Sequence, residues 1–310
     1  MERAPGEPVI ATWGLRKEFG STVAVADLTL QVEAGEVFGF LGPNGAGKTT
    51  SLKMLLGLVH PSAGEGALLG QPLGTPAVRS RVGFLPEHFR FPHWLTAREF
   101  LDIHGRMLDL PSTERHGQTA DLLDLVELTS AADRRLGTYS KGMLQRIGLA
   151  QALLGDPLLV FLDEPTSGLD PFGRRLVRQI ISNLRDRGVT VFLNSHLLGE
   201  VEVTCDRVAF IRAGEIIEIA PLRSLLASGM EVELRLGRVD EELIAGLRRW
   251  GEMLNIDGQR VSLRVPGEDI LPQLVAWLTG QQVDLYAMTP RQHTLEDLFL
   301  RIVEKPEVGQ

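Results

Sequence analysis

Residues Gly42–Thr50 read GPNGAGKTT, which fits the spacing G-x-x-x-x-G-K-[ST] with Gly42, Gly47, Lys48 and Thr49 at the required places. Each residue type has a task in that pattern. Glycines let backbone N–H groups turn inward around phosphate oxygens, a lysine reaches the outer phosphates, and a threonine hydroxyl can ligate Mg²⁺. Binding of a nucleoside triphosphate is the expectation, and a Gly-rich turn without a ligand is the alternative. A second candidate is the run Leu158–Glu164, LLVFLDE, an apolar stretch closing on two adjacent carboxylates. Strand alternation sends neighbouring side chains in different directions, so Asp163 can hold Mg²⁺ through its water shell while Glu164 orients and deprotonates a water. Taken alone, such a pair suits a solvated turn; a phosphate loop upstream favours chemistry.

A phosphate loop needs a strand before it and a helix behind it. The apolar run Val37–Leu41 reads as a buried strand, and Leu52, Leu55, Leu56 and Val59 fall at i, i+3, i+4 and i+7 of a following helix whose positive N-terminus would face the phosphates. Leu158–Leu162 and Val189–Leu193 read as later strands. The helix between them carries Val177, Ile180, Ile181 and Leu184 on one face and stops near Gly188. Residues 1–224 therefore read as an α/β domain with a mostly parallel sheet. Within it, residues 87–156 are helical in pattern, with Thr96 and Glu99 as a capping box, and form a helical insertion.

Residues 225–310 change character and read as a small α+β domain. Val232–Leu236 alternates as a strand, Asp240 caps a helix holding Leu243, Ile244 and Leu247, and Asp257-Gly258 turns a hairpin into Val261–Val265. A helix over Ile270–Leu278 and a strand over Val283–Met288 follow. Thr294 and Asp297 open a last helix with Leu295, Leu298, Phe299 and Ile302 on one face.

Composition narrows the partners. No stretch of the 310 residues approaches the roughly 18 apolar residues that would cross a bilayer, and the Met1–Pro5 start has no apolar core of a secretion signal. The single cysteine, Cys205, rules out an internal disulfide and suits a reducing compartment. A formal charge of −8 lacks the basic footprint that grips phosphate backbones, so nucleic acid is not expected as a partner.

Several further motifs follow one another in a known order, and with them the chain resembles the nucleotide-binding subunit of an ABC transporter. Phe19 in KEFG matches the aromatic that stacks on adenine, Gly42–Thr50 matches Walker A, Leu159–Glu164 Walker B, Ser167–Asp170 the D-loop, and His196 in NSH the switch histidine. Tyr139-Ser140-Lys141-Gly142-Met143 stands where the family has its LSGGQ signature. The resemblance implies a P-loop NTPase core that binds ATP and Mg²⁺. It implies catalytic roles for Glu164 and His196, nucleotide contacts from Phe19, Asn44, Gly45, Ala46, Gly47, Lys48, Thr49, Thr50, Ser140, Gly142 and Asp170, and metal contacts from Thr49, Asp163 and Glu87.

In that family the signature meets the γ-phosphate of ATP held by the opposite subunit. The resemblance thus implies a head-to-tail ATP-bound dimer of this chain, seated beneath an integral membrane permease on the cytoplasmic side, at the inner face of the membrane. The tail resembles that of ATPase subunits from bacterial exporters. A soluble nucleotide switch acting on some other assembly is the alternative. Three positions depart from the pattern: Lys141 and Met143 replace a glycine and a glutamine, and Glu87 in GFLPE takes the place of the Q-loop glutamine. Lys141 can add positive charge near a partner's phosphates or simply face solvent. The stretch His88, Phe89, Phe91, Pro92, His93 and Trp94 can clasp a short permease helix or pack the insertion together.

Overall fold

The computed structural model describes residues 7–226, 230–292 and 294–304, with side chains described at 7–225, 230–291 and 294–300. Two compact units divide after Ala220. Among the described residues, no helix is long and apolar enough to cross a membrane.

The first unit opens with β1 (Ile10–Phe19) and β2 (Thr22–Val32), an antiparallel hairpin. β3 (Val37–Leu41) leads into α1 (Lys48–Leu55), then β4 (Ala63–Leu68), β5 (Gln71–Pro72) and β6 (Val82–Leu85). A helical segment follows, with α2 (Ala97–Met107), α3 (Ser112–Leu125) and α4 (Lys141–Leu153). The chain returns through β7 (Leu159–Asp163), α5 (Pro171–Asp186), β8 (Thr190–Asn194), α6 (Leu198–Thr204), β9 (Arg207–Arg212) and β10 (Glu215–Pro221). All ten strands form one sheet in the order β5-β4-β1-β2-β10-β9-β3-β8-β7-β6.

The sheet has two characters. From β9 to β6 the neighbours are parallel, and β3, β7 and β8 are buried at every residue, as expected of strands covered on both faces. Phe192 on β8 anchors this core, with ring centroids 5.7 Å from Phe38, 5.3 Å from Phe40 and 5.2 Å from Phe161. At the other end, β5, β4, β1 and β2 pair antiparallel, an arm that the apolar periodicity did not reveal. The expected stripe after the phosphate loop is also cut short. α1 stops at Leu55 because Gly57 turns left-handed, φ +68°, just past the cap; Leu56 and Val59 still pack on the core, but from the turn.

Helix ends follow the side-chain chemistry. Thr96 and Glu99 make the reciprocal capping box of α2, and Val177, Ile180, Ile181 and Leu184 are the buried face of α5.

The second unit contains α7 (Leu222–Leu226), β11 (Met230–Leu236), α8 (Glu241–Leu247), β12 (Glu252–Asp257), β13 (Arg260–Val265), α9 (Leu271–Gly280), β14 (Leu285–Gln292) and α10 (Leu295–Glu304). Its antiparallel sheet runs β12-β13-β11-β14, a split β-α-β arrangement. Alternate residues of β11 and β13, among them Val232, Leu234, Val261 and Leu263, pack with Leu243 and Leu247 of α8 and Leu274 and Leu278 of α9. Asp240 caps α8 by accepting the Leu243 N–H at 2.8 Å. Thr294 and Asp297 form the box that opens α10, where Leu295 is buried; the side chain of Ile302 lies outside the described residues.

Candidate active site

Residues 42–47 leave the C-terminal end of β3 and enter α1 at Lys48. Two glycines are sterically required. A Cβ on Gly42 would stand 2.3 Å from the Ile211 carbonyl oxygen, and Gly47 takes φ +101° with its Cβ direction ending 2.6 Å from the Ala24 carbonyl oxygen. Asn44, Gly45, Gly47, Lys48, Thr49 and Thr50 line a cavity of 540 Å³ together with Thr22, Val23 and Ala24 of the hairpin. Lys48 donates from Nζ to the carbonyls of Gly42 at 2.6 Å and Pro43 at 3.1 Å. Ala46 is buried beneath the loop and fastens it to the sheet, its carbonyl accepting the Gly214 N–H at 3.0 Å. Phe19 ends β1 opposite Thr22, which lines the cavity, and the residue is half exposed.

Because β6, β7 and β8 are parallel, their C-terminal ends meet at the edge where the phosphate loop emerges. Glu87, Asp163 with Glu164, and Asn194 with His196 are brought together there from three separate stretches of sequence. Asp163 pairs with Asn194 in the register, and the Asn194 side-chain amide donates to Asp163 Oδ1 at 2.5 Å. Glu164 sits at φ +53°, an uncommon backbone state for a residue with a side chain. Its N–H donates to the Asn194 carbonyl at 2.8 Å, its Oε1 accepts the His196 backbone N–H at 2.9 Å, and its Oε2 lies 2.7 Å from His196 Nδ1. The Glu164 side chain is 7% exposed and that of His196 58%.

Burial dominates the electrostatics of this edge. It pushes the Asp163 carboxyl above its ordinary pKa, with the Asn194 amide pulling back and the Glu87 charge adding to the rise. It raises Glu164 likewise, against the hydrogen bonds and charge of His196. Burial also lowers Lys48, opposed by the three carboxylates of Glu164, Asp163 and Glu87. Such a cluster suits a multiply charged anion bridged to a hard cation. Asp163 offers a buried oxygen ligand whose described hydrogen-bond partners are neutral amides, and Thr49 stands on the cavity wall.

A second cavity of 340 Å³ shares no residue with the first. It is lined by Ser140, Gly142, Met143 and Arg146 of α4 and its cap, and by Gly168, Leu169 and Asp170 before α5, together with Glu127, Phe172, Gly173 and Leu176. Ser140 caps α4, its hydroxyl accepting the Met143 N–H at 3.3 Å, and Asp170 caps α5 by accepting the Gly173 N–H at 2.7 Å. Ser140, Gly142 and Asp170 are therefore together, but away from the phosphate loop. Lys141 is exposed and runs across the turn before α5: a Cβ on Gly168 would meet its Nζ at 2.6 Å.

The aromatic stretch of the insertion divides. Phe91 is buried, with ring centroids 5.0 Å from Phe89 and 5.3 Å from Phe100, and a Cβ on Gly148 would stand 2.6 Å from Phe89, so these two rings pack the insertion. His88, His93 and Trp94 are exposed. Three site neighbours had no assigned role from sequence. Asn194 lies beside His196 in the same triplet, a usable signal. Gln145, which donates to the Glu164 carbonyl at 3.4 Å, and Tyr139, whose buried hydroxyl donates to the Ala131 carbonyl at 2.7 Å, carried none.

The family model described as "ABC transporter" matches residues 25–167. An ABC transporter ATP-binding protein of Synechocystis is 41% identical over 94% of this chain and 84% of its own length. Nod factor export ATP-binding protein I of Burkholderia lata is 37% identical, covering 93% of this chain and 94% of that protein. Linearmycin resistance ATP-binding protein LnrL of Bacillus subtilis is 31% identical over 93% of this chain and 96% of its own. Among solved structures, an ATP binding subunit of an ABC transporter superposes with a TM-score of 0.66 at 26% identity, over 70% of this chain and 91% of that one.

Proposed function

The chain belongs to the ABC transporter family as an ATP-binding, ATP-hydrolysing subunit, and from that premise we propose that two copies close head to tail on two ATP molecules to drive export through a separate membrane permease. The observation that carries this reading is the pair of cavities with no residue in common. The first holds the phosphate loop and the acidic edge, the second the capped N-terminus of α4; within one copy neither encloses a nucleotide from both sides.

In this reading Phe19 stacks on the base. Asn44, Gly45, Ala46, Gly47, Lys48, Thr49 and Thr50 hold the phosphates in cis, while Ser140, Gly142 and Asp170 reach the nucleotide of the other copy. A helix N-terminus with a hydroxyl and free N–H groups is suited to the γ-phosphate. Thr49, Asp163 and Glu87 would hold Mg²⁺, which when bound would neutralise charge on the transferred phosphoryl. Glu164 accepts the proton of the attacking water, and His196, against Glu164 in the same pocket, steadies the γ-phosphate. Loss of the γ-phosphate releases the clamp.

Export rests on the relatives whose names state export or resistance, and cargo contact belongs to the permease. The exposed ring of Trp94 and its neighbours His88 and His93 are the contact proposed for it, which would keep this chain at the inner face of the membrane. The test mixes a Ser140→Ala variant with a Lys48→Ala variant carrying a different tag. Mixed dimers contain one intact composite site, so the mixture should hydrolyse ATP faster than either variant alone. Verified mixed dimers with no gain would refute shared sites.

A further inference from the structure

Lys17 and Phe19 stand two residues apart on β1, on one side of the strand. Lys17 Nζ lies 5.0 Å from the centroid of the Phe19 ring. The same ammonium donates to the carbonyl of His60 at 2.8 Å, in the segment that follows α1. One cation thus bridges the proposed base platform to the segment that follows the helix beginning in the phosphate loop. Phe19 has no hydroxyl with which to anchor itself, and the residue is 52% exposed. The only polar hold on the ring among the described contacts is therefore this ammonium against one face.

An ammonium is attracted to the negative face of an aromatic ring, draws the ring's electron density toward itself and fixes its tilt. The opposite face is then held flat and made more accepting for an electron-rich purine. We propose that Lys17 is a positioning residue for the nucleobase: it backs the Phe19 ring so that adenine stacks on the face away from the ammonium. The inference deepens the proposed site and rests on the stacking role of Phe19. It concerns selectivity for the base, and leaves the grip on the phosphates to the loop at Gly42–Thr50.

Equilibrium titration of the full chain with Mg-ATP and, separately, with inorganic tripolyphosphate and Mg²⁺ tests it. Lys17→Met keeps the apolar stem and removes the charge; it should weaken ATP about two- to fivefold, the range of an exposed cation–π contact, and leave tripolyphosphate binding unchanged. Retained tripolyphosphate binding also reports an intact phosphate loop. Lys17→Arg should restore ATP affinity, and Lys17→Met should add nothing in a Phe19→Leu background. Equal weakening of both ligands, an effect that survives Phe19→Leu, or no effect on ATP would each overturn the role of Lys17. If Phe19→Leu itself leaves the ratio of ATP to tripolyphosphate affinity unchanged, the stacking role of Phe19 fails first and takes this one with it.

Discussion

Replacing Glu164 with glutamine removes the proposed base while leaving almost every contact in place. Oε1, which accepts the His196 N–H at 2.9 Å, is retained as the amide oxygen, and the amide nitrogen takes the position 2.7 Å from His196 Nδ1, donating to it with the imidazole proton on Nε2. The backbone N–H still reaches the Asn194 carbonyl, so the left-handed turn at φ +53° persists. What disappears is the ability to accept a proton, worth about 10²- to 10⁴-fold in rate for a positioned general base. Steady-state phosphate release at saturating Mg-ATP should fall by about that factor, with ATP affinity kept.

The same substitution has a stability signature of predictable sign. Burial holds the folded Glu164 pKa above its ordinary value of 4.5, so the folded chain binds the proton more tightly than the unfolded one. That contribution is fully present below pH 4.5 and is lost as pH rises through the folded pKa. Glutamine does not titrate. The melting temperature of the nucleotide-free variant should therefore gain on the parent as pH climbs, and the parent's acid limb of activity should sit above 4.5. Unchanged hydrolysis in the purified variant would remove Glu164 from the role of base; a parallel collapse of ATP binding would make it a holding group instead.

Two further substitutions test the packing around α4 and its N-terminal cap. Tyr139→Phe strands the buried Ala131 carbonyl that the hydroxyl now satisfies at 2.7 Å, and chemical denaturation should read a loss of about 1–3 kcal/mol; a change within error would mean that water replaces the hydroxyl. Gly83→Ala would put a Cβ 1.9 Å from the Ala152 carbonyl oxygen, a backbone atom in α4 that cannot step aside, so the variant should lose more than about 4 kcal/mol or fail to accumulate as folded protein. A parental melting curve would refute the close approach of β6 and α4.

Chemistry that lies within one stretch of chain could be read before folding. Gly42, Gly47 and Lys48 carry their steric and electrostatic needs in their spacing, and Asp163 and Glu164 announce themselves as charges ending an apolar strand. The helices with clean caps were equally legible: Thr96 with Glu99, Asp240 and Thr294 with Asp297 all satisfy the free N–H groups that each sequence pattern implied. The antiparallel arm of β1, β2, β4 and β5 was not, because strand pairing is a relation between distant segments and the alternation within one strand names no partner. Leu56 and Val59 misled for a different reason. Their spacing is helical, but the left-handed turn at Gly57 ends α1 first.

Side-chain direction was the remaining unknown. For Phe89 and Phe91 the sequence leaves open a surface for another protein's helix or packing within the insertion, and Gly148 on α4 and Phe100 on α2 receive the two rings, which is the second of these. Lys141 read either as a charge near a partner's phosphates or as a solvated lysine; it is exposed, and its stem crosses Gly168, a glycine whose missing Cβ makes the room.

By itself the sequence determined that the chain holds a phosphate-loop pattern, an acidic strand end and a Ser140–Gly142 segment in the place of the family's signature, because each is a local pattern of residues close in the chain. Only the tertiary structure decided how they associate. Parallel strands carry Glu87, Asp163, Glu164, Asn194 and His196 to one edge beside Lys48, while Ser140, Gly142 and Asp170 gather around a separate cavity. The physical reason is that a parallel sheet aligns the ends of strands far apart in sequence, and no periodicity within a single segment encodes which ends will meet.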